Sequence, residues 1–219
     1  MQTVPVVVTR GHYLERVDGR LELRSGDSAA GVSLNIADVQ RRSRQGRGLA
    51  LAKACGIRPG LRVLDGMAGF GLDGSTLAAL GCNVLMVERD PLLYTLLEDA
   101  VVRLLASGVV SGEIELRHGD VREVLAEGRT FDTVYLDPMF PERAKAALPR
   151  RSAQLLADLI GAADADLVGI VEDALVCAEQ RVVVKRRRHD PAARQRPDWQ
   201  IVGRSVRFDV YRGAAPAGG

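Results

Sequence analysis

From Leu61 onward the chain alternates short apolar segments with segments of helical periodicity, and this alternation restricts the fold more than any other feature of the sequence. The apolar segments run from Leu61 to Asp65, Asn83 to Val87, Ile114 to Arg117 and Phe131 to Leu136. A strand, a helix and a following strand normally form a unit in which the two strands are parallel. We therefore predict an α/β fold with a mostly parallel, doubly wound sheet.

The C-terminal part of the chain predicts a change of strand direction. Residues Arg181 to Lys185 are predicted as a fifth strand, after helical segments near residues 150–160 and 164–178. Two short strands follow, Gln200 to Val202 and Val206 to Tyr211, with Gly203-Arg204-Ser205 between them. So short a reversal pairs its flanking strands antiparallel. We expect the sheet to end in antiparallel strands.

The N-terminal part alternates only weakly between apolar and polar residues, up to about residue 40, with a turn predicted at Ser25-Gly26-Asp27. We interpret it as a small β-rich appendage that is followed by a basic linker. The predicted organisation is an appendage and linker over residues 1–45, a main domain over 46–212 and a flexible tail over 213–219.

Each of the first four predicted strands of the main domain ends at or before polar residues. Asp65 ends the first strand, Glu88 follows the second, Gly119 and Asp120 follow the third, and Asp137 follows the fourth. The carboxyl ends of parallel strands meet at one edge of a sheet, where ligands bind in open α/β folds. We therefore expect one binding site there. Glu88 is placed to accept hydrogen bonds from ribose hydroxyls, and Asp120 can both cap the next helix and reach a ligand.

A glycine-rich turn follows the first of these strands. Gly69, Gly71 and Gly74 match the pattern G-x-G-x-x-G, before a helix predicted from Leu72 to Leu80. Glycines there let the backbone turn tightly and approach a ligand. Asp65 precedes the first glycine by four residues, and its carboxylate would repel the pyrophosphate of a dinucleotide. The longer pattern resembles the first motif of S-adenosylmethionine-dependent methyltransferases.

The segment Asp137-Pro138-Met139-Phe140 is typical of enzymes that methylate the exocyclic amine of a nucleobase. The lone pair of such an amine is delocalised into the ring, so the enzyme must hold the amine in line with the methyl donor. The Asp137 carboxylate and the Pro138 carbonyl can accept its N–H groups, and Phe140 can stack on the base. We therefore predict Asp137, Pro138 and Phe140 as the catalytic residues.

The charge of the chain is small overall but unevenly distributed. The formal net charge is +2, yet residues 181–212 contain ten basic and three acidic residues, and a second arginine cluster lies between residues 41 and 47. Two basic segments beside a base-modifying site indicate a polyanionic substrate. The predicted RNA-binding residues are Arg41, Arg42, Arg44, Arg47, Lys185, Arg187 and Arg188.

The cysteines and histidines argue against disulfides and metals. Cys55, Cys82 and Cys177 are scattered and odd in number, which favours reduced thiols in a cytoplasmic protein. The three histidines lack the spacing of metal ligands, so we predict no metal. Since no apolar run approaches the length of a bilayer span, we also expect no membrane segment.

Several motifs together carry a resemblance to one family. They are Val63-Leu64-Asp65, Ala68-Gly69-Phe70-Gly71, Gly81-Cys82-Asn83-Val84, Glu88-Arg89, Tyr135-Leu136-Asp137-Pro138-Met139-Phe140-Pro141, Arg181-Val182-Val183-Val184-Lys185-Arg186 and Arg207-Phe208-Asp209-Val210-Tyr211. From about Arg41 to Tyr211 the chain resembles the bacterial small-subunit ribosomal RNA guanine-N2 methyltransferases of the RsmJ type.

The resemblance implies a Rossmann-like class I methyltransferase fold, S-adenosyl-L-methionine as cofactor, and 16S ribosomal RNA or the small ribosomal subunit as substrate. It implies cofactor contacts at Leu72, Asp73, Glu88, Arg89, Gly119, Asp120 and Asp137, beside Asp65, Gly69 and Gly71 of the glycine-rich motif. The chain departs from the family pattern at Leu72, where arginine is usual, at Gly119-Asp120, which replace two small hydroxyl residues, and in its shorter N-terminal part. Leu72 could contribute only a backbone contact.

Three alternatives stay open at this level. An adenine-N6 or other nucleic-acid amine methyltransferase would use the same residues, because both targets are exocyclic amines. An NAD-dependent oxidoreductase would explain the glycines and Glu88 but not Asp137-Pro138-Met139-Phe140. A non-catalytic RNA-binding assembly factor would keep the fold and bind RNA without methyl transfer.

Overall fold

The computed structural model describes residues 11–25, 31–138, 166–194, 196–203 and 205–213. The strands are β1 (His12–Val17), β2 (Arg20–Ser25), β3 (Arg62–Asp65), β4 (Asn83–Glu88), β5 (Glu113–His118), β6 (Phe131–Leu136), β7 (Ala178–Arg187), β8 (Trp199–Val202) and β9 (Val206–Arg212). The helices are α1 (Ile36–Ser43), α2 (Ala50–Cys55), α3 (Leu72–Ala79), α4 (Pro91–Ala106), α5 (Val121–Ala126) and α6 (Leu167–Cys177), with a 3-10 turn at Gly46–Gly48. Within these ranges no helix combines the length and apolarity that crossing a bilayer requires.

Seven strands form one sheet in the order β5-β4-β3-β6-β7-β9-β8. Strands β3 to β7 run parallel, and β9 pairs antiparallel with both β7 and β8. The predicted sheet with antiparallel last strands is confirmed. From β3 the chain adds β4 and then β5 on one side of the sheet, and from β6 it adds the remaining strands on the other side. The direction of winding therefore changes between β3 and β6. Ligands bind at the carboxyl edge beside such a switch point.

The predicted strands, and the helix cap predicted at Asp120, appear close to their expected positions. Strand β7 is longer than expected and begins at Ala178, directly after the end of α6 at Cys177. Asp90 caps α4 by accepting the Leu92 and Leu93 amides, and Pro91 takes the first helical position. Asp120 caps α5 by accepting the amide of Arg122. The helix expected near residues 150–160 lies outside the described residues.

Apolar layers cover both faces of the central sheet. All six residues of β6 are buried, as expected for a parallel strand that is covered on both sides. Tyr135 packs in the layer that contains α2 and α3, whereas Leu136 packs in the layer that contains α5 and α6. Consecutive strand residues therefore face opposite layers, and this alternation decides which side chains can meet at the carboxyl edge.

The N-terminal segment forms an antiparallel hairpin of β1 and β2. Its two-residue turn is Asp18-Gly19, both at positive φ (48° and 80°), as a tight hairpin turn requires. The turn predicted at Ser25-Gly26-Asp27 falls mostly outside the described residues, although Leu23 and Val32 on either side form an antiparallel bridge.

The hairpin packs on the main sheet domain through helix α4. Its leucines contact those of α4 in one apolar cluster that consists of Leu14, Leu21, Leu23, Leu92, Leu93 and Leu96, with Val32 and Phe70 beside it. Asp99 of α4 accepts hydrogen bonds from the Leu21 amide and from Arg16. The boundaries at residues 45 and 212 stay a prediction.

The segment expected as a basic linker contains helix α1 instead. Asn35 caps this helix by accepting the Ala37 amide, and Val39 is fully buried. Val39 packs with Leu34, Ala100 and Leu104 against α4. Val39 is the buried residue of a helix that is otherwise mostly polar. The run of arginines was therefore interpreted as a linker and not as a helix.

Candidate active site

A cavity of about 740 Å³ opens at the carboxyl edge of the sheet, within the range of roughly 300–1,000 Å³ typical of small-molecule sites. The predicted residues that line it are Asp65, Gly69, Leu72, Asp73, Glu88, Arg89, Gly119, Asp120, Asp137, Arg41, Arg42 and Lys185. The four predicted strand ends thus meet in one place. Another part of the wall, from Val32 to Asn35, precedes α1 and was not predicted from the sequence.

The glycines of the G-x-G-x-x-G pattern have different roles. Gly69 and Gly71 have φ angles of 54° and 76°, a region that side chains disfavour, so they shape the turn. A Cβ on Gly71 would also collide with Leu97. Gly74 lies inside α3, where a Cβ would come within 2.6 Å of the Asp65 Oδ2 atom. Gly74 therefore makes room for Asp65 and does not shape the turn.

Glu88 connects the glycine turn to the end of β4. Its Oε2 accepts the Gly69 amide at 2.7 Å, and its Oε1 accepts the Asp90 amide at 2.8 Å. Burial raises the pKa of Glu88, while these two hydrogen bonds act in the opposite direction. A carboxylate oxygen has a second lone pair, so each can still accept a hydrogen bond from a ligand hydroxyl.

Asp65 is almost fully buried, and its Oδ1 atom has no hydrogen-bond partner within the described part of the chain. Burial raises its pKa well above the usual value, and the charges of Asp73 and Asp137 add to this. Buried acceptors are nearly always hydrogen-bonded in folded proteins. An orphaned carboxylate oxygen on the cavity wall is therefore suited to a ligand that carries a donor, such as an ammonium group.

A cluster of charged groups also lines the cavity. The Lys185 Nζ atom lies 2.7 Å from Asp137 Oδ2 and 2.8 Å from Asp73 Oδ2. Asp73 also accepts hydrogen bonds from Arg42 Nη2 and from the Tyr135 hydroxyl, both at 2.5 Å. We call this set, Arg42, Asp73, Tyr135, Asp137 and Lys185, the Asp73 cluster.

The charges of the Asp73 cluster are strongly coupled. Burial opposes ionisation of Asp73, but Lys185 and Arg42 outweigh it and hold its pKa well below the usual range. Burial acts against the ammonium of Lys185, yet Asp137 and Asp73 raise its pKa above the usual value. The balance differs at Asp137, where burial raises the pKa and Lys185 only partly offsets it. Two carboxylates and two cations thus face one another in a partly desolvated site.

The predicted RNA-binding residues fall into two groups. Arg41, Arg44, Arg47 and Arg188 are exposed, and Arg187 is half-buried. Arg42 and Lys185 instead point to Asp73 inside the cavity, which differs from the expected phosphate contacts. The sequence did not predict this difference, because a run of basic residues does not reveal which side chains face the interior.

The residues predicted as catalytic are described only in part. Asp137 lines the cavity and Pro138 is buried beside it. Phe140, which we expected to stack on the base, lies outside the described residues. Tyr135 was missed as a site residue, although its spacing of two from Asp137 could have placed both on one face of the strand.

The chain is similar to known proteins over most of its length. Residues 6–213 match the family model described as "Putative SAM-dependent methyltransferase". The ribosomal RNA small subunit methyltransferase J of Desulfotalea psychrophila is 40% identical over 168 residues, which cover 74% of this chain and 64% of the relative. The protein of the same name from Shewanella sediminis is 41% identical over 207 residues, which cover 89% of this chain and 80% of the relative.

The chain is also similar to a protein of solved structure. The crystal structure of the SAM-dependent methyltransferase NGO1261 from Neisseria gonorrhoeae superposes with a TM-score of 0.74 at 30% identity, over 99% of this chain and 87% of that one. The similarity therefore extends over the hairpin as well as the sheet. Against the Desulfotalea psychrophila relative, in contrast, the chain spans slightly less than two thirds of the relative's length, 64%.

Proposed function

The chain belongs to the family of SAM-dependent methyltransferases, and on that premise we propose that it methylates the exocyclic N2 amine of a guanine in small-subunit (16S) ribosomal RNA. The observation that carries the proposal is the position of Asp137, whose carboxylate shares one cavity with Asp65 and Glu88. The RNA substrate is supported by relatives at about 40% identity that are named ribosomal RNA small subunit methyltransferase J. The family match removes the NAD-dependent oxidoreductase alternative.

The described residues fit the methyl donor. S-adenosylmethionine supplies an electrophilic methyl group on a sulfonium sulfur. Glu88 would accept hydrogen bonds from its ribose, and the unpartnered Asp65 Oδ1 would accept one from its ammonium group. Gly69 and Gly71, both with left-handed backbone, carry no side chains that would keep a ligand away from the turn at these two positions. Asp120 lines the cavity beyond β5, where it would meet the adenine while it caps α5.

Asp137 and Pro138 would hold the acceptor amine. A carboxylate hydrogen bond to an N–H group orients the nitrogen lone pair and stabilises the positive charge that develops there. The Asp137 carboxylate can also take the proton that the nitrogen releases. A guanine amine is stacked and paired in a helix, so the target base must be presented unpaired or flipped out. Such a substrate would place the enzyme with assembling ribosomal particles in the cytoplasm.

The decisive test is methyl transfer from labelled S-adenosylmethionine to small ribosomal subunits and to naked 16S RNA, followed by nucleoside mass spectrometry. We expect N2-methylguanosine. The appearance of N6-methyladenosine would favour the alternative amine methyltransferase. RNA binding without any methylated nucleoside would contradict the enzyme and favour an assembly factor.

Replacing Glu88 with alanine should weaken S-adenosylmethionine binding by about 1.5–3 kcal/mol, the usual contribution of a hydrogen bond to a charged group. Turnover at saturating cofactor should fall much less, because Glu88 lies away from Asp137 along the cavity edge. Isothermal calorimetry measures the first effect and initial rates the second. An unchanged affinity would remove Glu88 from the cofactor site.

Replacing both Arg187 and Arg188 with glutamine should weaken RNA binding through lost phosphate contacts. Each lost contact should reduce the slope of log affinity against log salt by about one, while S-adenosylmethionine affinity stays unchanged. The control is Arg129→Gln. Arg129 pairs with Glu115 and lies just before β6, at the edge of the sheet opposite the cavity. A double variant with the parental salt slope would mean that RNA enters elsewhere.

A further inference from the structure

Lys185 binds two carboxylates of the active site, and the proposed chemistry leaves it without a role. We propose that Lys185 is a positioning residue, which fixes the carboxylate of Asp137 in its charged form so that it can accept the N–H group of the substrate amine. This inference rests on the proposed function, because it concerns how Asp137 is prepared for that amine.

The first support is the geometry around Asp137. Lys185 belongs to β7 and Asp137 follows β6, and the pairing of Leu136 with Val184 places the two residues side by side. The ammonium lies 2.7 Å from Oδ2 of Asp137, and the Asp137 side chain remains about one third exposed (32%). The carboxylate is therefore held by the lysine and still reachable from the cavity.

The second support is that Lys185 is itself fixed in place. Asp73 binds the same ammonium at 2.8 Å and is in turn held by Arg42 and by the buried hydroxyl of Tyr135. These partners come from α3, α1 and β6, which are regular elements and not loops. Groups carried on such elements hold a catalytic geometry more tightly than groups on loops. A flexible lysine side chain thus acquires one defined position.

The third support is electrostatic. Burial and the neighbouring charge of Asp73 favour the protonated form of Asp137, while Lys185 and Arg42 favour the carboxylate. The ionisable groups that face this site from the packed elements are Arg42 of α1, Asp65 of β3, Asp73 of α3, Tyr135 of β6 and Lys185 of β7. Removing the lysine would leave two nearby carboxylates with one cation, so the pKa of Asp137 should rise further.

The test compares Lys185→Met, which removes the charge, with Lys185→Arg, which keeps it. The Asp137 carboxyl carbon is followed by NMR in protein labelled with carbon-13 aspartate, and its resonance is identified by its loss in Asp137→Asn. In Lys185→Met this carboxyl should titrate at a higher pH than in the wild type. Lys185→Arg should titrate close to the wild type.

The rate of methyl transfer should follow the ionisation of Asp137. At neutral pH the single-turnover rate of Lys185→Met should fall on the order of a hundredfold, the usual loss when an oriented catalytic group is disabled. Half-saturating RNA concentration and cofactor affinity should change only a few-fold. The rate should rise again with pH as Asp137 ionises. In Lys185→Ala, which leaves space where the lysine side chain was, added ethylamine should restore part of the rate at neutral pH. A merely structural lysine would produce neither the pH shift nor the rescue.

The Asp137 titration tests the role of Lys185 even if the protein methylates a substrate other than 16S ribosomal RNA. If Asp137 titrates in Lys185→Met as it does in the wild type, the inference is overturned, whatever the protein methylates. If Lys185→Met does not fold, Lys185→Gln replaces it, since it also removes the charge and should likewise move the Asp137 titration to higher pH; an unmoved titration would again overturn the inference. A wild-type protein that binds S-adenosylmethionine but methylates no RNA would contradict the proposed function alone.

Discussion

Replacing Asp137 with alanine should reduce methyl transfer by a factor on the order of a hundred or more, while S-adenosylmethionine still binds with weakened affinity. The reason is that Asp137 lines the cavity at the point where β6 ends, and its carboxylate is the group that would meet the amine. The loss should appear in single-turnover rates with saturating RNA and cofactor, because the missing contact acts mainly in the transition state.

A matched variant separates hydrogen bonding from charge at this position. Asp137→Asn keeps an oxygen that can accept the N–H group but loses the ion pair with Lys185. It should therefore retain more activity than Asp137→Ala. Turnover of the alanine variant within a few-fold of the wild type would mean that Asp137 only ends a strand, and the proposed site would be wrong.

Asp73→Ala should have the largest effect on folding, a loss of about 3–5 kcal/mol in the free energy of unfolding. The substitution leaves the Tyr135 hydroxyl and the Arg42 guanidinium without their carboxylate in a site where Asp73 itself is only 10% exposed. Urea unfolding followed by circular dichroism measures the change. Glu127→Ala is the control, because it also removes the carboxylate partner of an arginine, Arg117, but at the surface.

The effect of Asp73→Ala should depend on pH with a defined sign. The pKa of Asp73 is lowered in the folded state, so its contribution to stability is present above its unfolded pKa of about 4 and is lost as the pH falls further. The difference in stability between the wild type and the variant should therefore shrink below about pH 4. A difference that stays constant into the acid range, or a loss no larger than that of Glu127→Ala, would contradict the role of the Asp73 cluster.

The sequence predicted those features that depend on neighbours along the chain. Asp120 caps its helix as expected, because a cap depends on residues no more than three positions away. The convergence of Asp65, Glu88 and Asp137 could also be predicted, since it follows from strand direction alone. The identity of the cofactor-binding residues stays a prediction that the proposed substitutions can test.

The Asp73 cluster could not be predicted in the same way. Its contacts require the register between β6 and β7, which brings Lys185 beside Asp137, and the packing of α1 on α3, which brings in Arg42. Neither is encoded in a local pattern. For the same reason both cations were assigned to RNA phosphates, because a basic run shows charge but not the partner that neutralises it.

The packing of the hairpin has a practical consequence for expressing parts of this chain. A fragment that began at residue 46, where we predicted the main domain to start, would lack the cavity wall from Val32 to Asn35 and also Arg42. It would uncover Leu92, Leu93 and Leu96 of α4, which the hairpin leucines cover in the intact chain. Such a truncation would therefore expose an apolar surface on α4 and also open one side of the cavity. We therefore expect the smallest autonomous unit to include the hairpin, because it covers the apolar face of α4 and is not a detachable accessory.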